Sequence, residues 1–195
     1  MKSSLLFTLH YRRKGFYAAS LGLFLAALCV VGLAYAKSAK EIDASVDVAL
    51  DRFEKQVAGA KEFAKNAKGL LVLPGVMKAA FVVGGEYGEG ALKIKGKTVD
   101  YYNFVSGSFG LQIGAQAKDI IIAFMTDEAL AAFRGSEGWE AGVDGNIALI
   151  NVGAGGRADT TTMRDPIVGF VFDVKGLIAD VSLKGAKITK LDKTQ

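Results

Sequence analysis

Residues 69–95 read GLLVLPGVMKAAFVVGGEYGEGALKIK. The stretch opens on a helix-breaking glycine and continues through an apolar strand, residues 70–73. Pro74-Gly75 reads as a turn, and a second apolar run covers residues 79–83. Then come Gly84, Gly85, Gly88 and Gly90. Glycine at that density within strand-like sequence marks bulges, tight bends or the close approach of another backbone. The stretch holds no nucleophile, proton shuttle or soft metal ligand, so it reads as a binding surface rather than a reaction centre.

Upstream, residues 37–68 carry Ile42, Val46, Leu50, Phe53, Val57, Ala60, Ala64 and Ala67 at spacings of three and four. That stripe predicts one long amphipathic helix packed on the domain core. Burying each of its larger apolar side chains is worth roughly 1.5–3 kcal/mol. Gly59 inside such a helix costs only about 1 kcal/mol. Asp51 and Lys55 form a favourable pair at four-residue spacing, whereas Asp47 and Asp51 repel.

Downstream, apolar runs bounded by glycine predict strands at 91–94, 99–105, 108–113 and 120–125. Further strands are expected at 146–152, 166–174 and 177–183. Lys93, Lys95 and Lys97 alternate, and on one strand they would share a face, with Gly96 marking a turn or kink. Thr126-Asp127-Glu128 opens a short helix to Phe133, stopped by Gly135. Trp139 is assigned to the core. Strands dominate, and crossover helices have little room. The expected fold class is α+β: mainly antiparallel sheet, sandwich or barrel, with a long N-terminal amphipathic helix and a short internal helix.

Residues 1–36 stand apart. Lys2, Arg12, Arg13 and Lys14 form a basic front, residues 16–33 are almost wholly apolar, and Ala34-Tyr35-Ala36 is a small-x-small motif. This is the layout of a signal peptide cut after Ala36, with an uncleaved anchor as the rival. Cys29 follows leucine, a poor fit to a lipoprotein site, and the Arg12-Arg13 pair only loosely resembles a twin-arginine signal. Residues 37–195 are expected to form a single exported domain, periplasmic or secreted, free or associated with a membrane.

Cleavage would remove four of the 24 basic residues and none of the 20 acidic ones, leaving a net charge near zero. Overall basicity therefore gives no argument for nucleic acid. Cleavage would also remove His10 and Cys29, the only histidine and the only cysteine. Without imidazole or thiol, Ser-His-Asp and Cys-His catalysis and soft metal ligation are closed. The expectation is no enzyme, no cofactor and no metal. Charge is nevertheless uneven: residues 61–100 carry seven bases and four acids, residues 101–173 four bases and nine acids.

Several motifs come close and fail. Gly153-Ala154-Gly155-Gly156-Arg157-Ala158 fits G-x-G-x-x-A, but the following Asp159-Thr160-Thr161-Thr162 run is a poor helix, so no helix N-terminus would meet a pyrophosphate. Gly96-Lys97-Thr98 lacks the first P-loop glycine, since residue 91 is alanine. Asp144-Gly145-Asn146 lacks the other ligands of a calcium loop. Glu86 and Glu89 are the best carboxylate pair for a hydrolase, against a plainer role solvating a turn.

Residues 67–92, AKGLLVLPGVMKAAFVVGGEYGEGAL, resemble the SYLF domain family, which carries an A-K-G-hydrophobic-P segment followed by K-A-x-F-x-x-G-G-x-Y-G-x-G. The likeness continues through VSGSFGLQIGAQ at 105–116 and, more loosely, GLIADVSLKG at 176–185. It spans nearly all of residues 40–190. The resemblance implies a lipid-binding module, with phosphoinositide-binding and actin-associated members in eukaryotes and exported members in bacteria; this chain is similar to the bacterial type. In some relatives a basic amphipathic N-terminal helix is credited with lipid binding. The nearest equivalent is residues 37–68, which also carry Glu41, Asp43, Asp47, Asp51, Glu54 and Glu62.

The expected function is non-enzymatic binding of anionic phospholipid, including phosphatidylinositol-type headgroups, at a membrane surface. Lys61, Lys65, Lys68, Lys78, Lys93, Lys95 and Lys97 are the candidate headgroup contacts. The alternative is a periplasmic interaction or structural module with a protein partner and no lipid ligand.

Overall fold

The computed structural model describes residues 37–80, 83–109, 114–152, 164–176 and 182–193. The leader with His10 and Cys29, the glycine motif at 153–158, and most of the expected strands at 108–113 and 177–183 lie outside the described residues.

The chain enters through α1, Ala39–Gln56. Ser38 caps it by a reciprocal box: its hydroxyl accepts from the Glu41 N–H, and the Glu41 carboxylate accepts from the Ser38 N–H at 2.8 Å. The single long helix expected over 37–68 is broken. Val57 is extended, Gly59 takes φ 81°, and a second helix, α2, runs Ala60–Asn66. Packing explains the break. Phe53 of α1 and Phe63 of α2 both meet Phe170, each at 4.9 Å between ring centres and edge-on. On a straight helix, residues ten apart are separated by about 15 Å and lie on different sides. Breaking at Gly59 lets both rings reach one partner, and Phe63 rather than Ala64 becomes the buried residue.

Eight strands form one sheet: β1 Gly69–Ala80, β2 Val83–Ile94, β3 Lys97–Phe109, β4 Gly114–Phe124, β5 Trp139–Glu140, β6 Ala148–Asn151, β7 Ile167–Gly176 and β8 Lys187–Leu191. Their order is β5-β8-β3-β2-β1-β4-β7-β6, curled and antiparallel except for β6 against β7. A third helix, α3, Asp127–Gly135, is capped as expected by Thr126, whose hydroxyl accepts from the Ala129 N–H.

The central strands are apolar on both faces, and alternate residues enter two separate cores. Leu71, Leu73, Ile120, Ile122 and Phe124 face α3, where Phe133 stacks among Tyr102, Phe124 and Trp139. Trp139 is a core residue, as read from the sequence. Val72, Ile121, Ala123 and Phe170 face α1 and α2.

Pro74-Gly75 is not a turn. It is a bulge inside one continuous strand, shifting the register of β1 against both neighbours between residues 72 and 77. Gly75 adopts φ 62°, and its N–H donates to Asp119 Oδ1 at 2.8 Å. Gly90 marks a true close approach: a side chain there would overlap the Val72 carbonyl and lie 2.9 Å from Leu73 Cα.

Candidate functional site

The seven lysines singled out in the sequence do not form one patch. Lys93, Lys95 and Lys97 do not share a strand face, because the chain reverses between them. Lys95 and Gly96 form a two-residue hairpin turn with both φ values positive, 51° and 76°. Lys93 thus lies on β2, Lys95 at the tip, and Lys97 opens β3.

Folding does bring three of the seven together. A groove of about 430 Å³ runs between the two helices and the β2–β3 turn, with Lys65, Lys93 and Lys95 around it. Leu50, Ala64, Ala67 and Leu70 supply its apolar lining. Lys65 comes from α2, Lys93 from β2 and Lys95 from the hairpin tip, so the cluster is tertiary. Lys93 is mostly buried and pairs with Asp47 of α1. Lys65 and Lys95 are exposed and make no ion pair among the described residues. Lys61 is exposed on α2, and Lys97 is exposed just past the hairpin. Lys68 lies half-exposed, 3.7 Å from Asp127.

Lys78 belongs elsewhere. It is 2% exposed and sits across the β1–β2 ladder from Glu86, its Nζ 3.6 Å from that carboxylate. A buried lysine cannot meet a headgroup at the surface, so it leaves the candidate set. Lys118 from β4 reaches the same carboxylate at 2.9 Å. Glu86 therefore does not solvate a turn: it is a buried strand residue held by two ammonium groups. Glu89 is buried as well, accepting from the Tyr87 hydroxyl at 2.8 Å and lying 3.6 Å from Lys193. The Tyr87 phenol is pushed up to about 12, chiefly by burial and then by the hydrogen bond to Glu89 and that group's charge.

The acids of α1 are engaged around the groove rather than facing outward as a block. Asp43 accepts from Thr98 at 2.8 Å and from Tyr101 at 2.9 Å. Asp47 takes Lys93, Asp51 takes Lys55 at 2.6 Å, and Glu41 is spent on the helix cap. The Asp47–Asp51 repulsion read from the sequence is thus relieved by a lysine on each. Leu50, Ala64, Ala67 and Leu70 were read only as core positions; their half-burial is what leaves a lined groove.

An arrangement of two open ammonium groups above an apolar floor attracts an anion with a hydrocarbon body. None of its residues supplies a nucleophile or an acid–base pair.

No curated protein matches this chain. The family model described as "Ysc84: Las17-binding protein actin regulator" matches residues 105–195, from the end of β3 through β8. Over those residues the chain belongs to the Ysc84, or SYLF, family.

Proposed function

We propose that this protein binds anionic phospholipid without catalysing a reaction, and that the groove between the helices and the β2–β3 turn receives the headgroup. The observation that carries this reading is the convergence of Lys65, Lys93 and Lys95, from three separate elements, on an apolar-lined groove. Lys65 and Lys95 would face the phosphate, phosphoinositide-type headgroups included, while Leu50, Ala64 and Leu70 would take the adjoining hydrocarbon. The family's association with lipid binding supports the same reading. The non-enzymatic reading is supported by Glu86 and Glu89, the best carboxylate candidates, which are both buried and held by lysine. Export and a place in the cell envelope follow from the leader-like residues 1–36 and belong to the same proposal.

The test is co-sedimentation of the full chain with phosphatidylcholine vesicles, with and without anionic phospholipid, at low and physiological salt. Binding should need the anionic lipid and weaken with salt. Lys65→Gln with Lys95→Gln should reduce it by on the order of tenfold or more, each lysine near an anionic surface contributing about 1 kcal/mol. Comparing the two chains cancels any contribution from apolar residues 16–33. Equal binding by both chains would refute the groove, and a protein partner would then be the reading to pursue.

A further inference from the structure

Beyond the part of the sheet that α1 and α2 cover, the same face lies bare. Cross-strand partners form one row over six strands: Lys187, Val105, Tyr87, Met77, Ala117 and Lys175. Met77, Tyr87 and Val105 are 55%, 48% and 46% exposed. The next row on that face is Gly107, Gly85, Ala79 and Ala115, again cross-strand partners and again exposed. The solvent side of an antiparallel sheet is ordinarily polar. Here two adjacent rows over the four central strands contain no charged side chain, and the first row ends in lysine on both sides.

We propose that this bare face is a second contact surface for an anionic bilayer, distinct from the groove, with Met77, Tyr87 and Val105 entering the interfacial layer. The inference rests on the lipid-binding reading. The charge pattern selects the occupant. Lysines bounding an apolar row suit an anionic surface, where the ammonium groups meet headgroups and the centre enters the boundary below them. Tyr87 suits that depth, having an apolar ring and a polar tip. A second copy stacked on the face about a two-fold axis would set lysine-ended rows against each other and gain no opposite charge. The glycine and alanine row adds a shelf with almost no side chains, over which headgroups can approach the backbone.

The test places an environment-sensitive fluorophore at Met77→Cys, and separately at Val105→Cys, in the full chain carrying Cys29→Ser. Val143→Cys, at a position 72% exposed and off this face, is the reference. On vesicles of phosphatidylcholine with phosphatidylglycerol, labels at 77 and 105 should shift to the blue and become protected from an aqueous quencher, while the label at 143 should not. Lys175→Gln with Lys187→Gln should cut the shifted fraction by about fivefold per lysine. If the chain sediments with vesicles while labels 77 and 105 stay in water, this proposal falls and the groove stands. A shift at 77 that grows with protein concentration without lipid would assign the face to self-association and overturn the proposal. No binding to any vesicle sinks both readings.

Discussion

Arg52 of α1 lies over Asp119 of β4, its Nε 2.9 Å and its Nη2 2.6 Å from the same carboxylate oxygen. The other oxygen of Asp119 accepts the Gly75 N–H in the β1 bulge, and Arg52 also reaches Asp173, the left-handed residue where β7 shifts register. One buried carboxylate therefore ties α1 to bulges in both strands flanking β4. Arg52→Met would leave Asp119 buried with only one donor. The expected loss is about 3 kcal/mol, at the low end for a broken buried pair because Arg52 is one-third exposed. A lowered urea midpoint with unchanged slope would report it.

Gly59→Ala separates a broken helix from a continuous one. In an unbroken helix the change would stabilise by about 1 kcal/mol. At φ 81° it should instead destabilise by about 1–2 kcal/mol. The sign of the shift in thermal midpoint decides.

Gly90→Ala should cost more than about 3 kcal/mol or prevent folding, because the methyl group meets backbone of β1 that cannot yield. Gly107→Ala, with open space around it, should change stability by no more than about 0.5–1 kcal/mol and in the stabilising direction. Denaturation of the two variants side by side checks the contrast.

Lys118→Met should lower stability by about 3 kcal/mol, since it removes the nearer of the ammonium groups holding buried Glu86. Adding Glu86→Gln to that variant should recover part of the loss, and a double-mutant cycle by urea unfolding measures how much.

Two tyrosines set a limit at alkaline pH. Burial pushes Tyr87 and Tyr102 up to about 12, helped by Glu89 and by Asp100 respectively. Both phenols are protonated in either state below the ordinary value of 10, so they leave stability unchanged there. Between pH 10 and 12 the unfolded chain loses these protons while the folded one keeps them, so stability should fall with rising pH. Phenolate absorbance followed alongside unfolding would show the two residues titrating late, and removing Tyr102 by Tyr102→Phe should flatten the decline.

Much of the architecture was legible in the residues. The stripe Ile42, Val46, Phe53, Val57 and Ala60 is the buried face of the helices, Thr126 is a cap, and Trp139 is core. Features set by distant partners were not legible. Gly59 carries too small a local penalty to announce a break, and only Phe170, over a hundred residues away, explains it. Pro74-Gly75 has turn chemistry, but Asp119 turns it into a bulge. Lysine at position 78 reads as surface until the β1–β2 register sets Glu86 opposite it. The groove was half visible: its lysines are plain in the chain, but the hairpin at Lys95-Gly96 decides which of them meet.

Burial on both sides of the sheet has a consequence for the chain before it folds. Ile120-Ile121-Ile122-Ala123-Phe124 is rich in β-branched residues, uncharged and free of proline, the composition that stacks readily between molecules. Only Lys118-Asp119, immediately before it, interrupts such stacking. Its shelter comes from partners such as Phe170, distant in sequence, so protection arrives late on the folding path. A newly made or translocating chain therefore depends on a holdase, or on speed, to keep this segment from clumping.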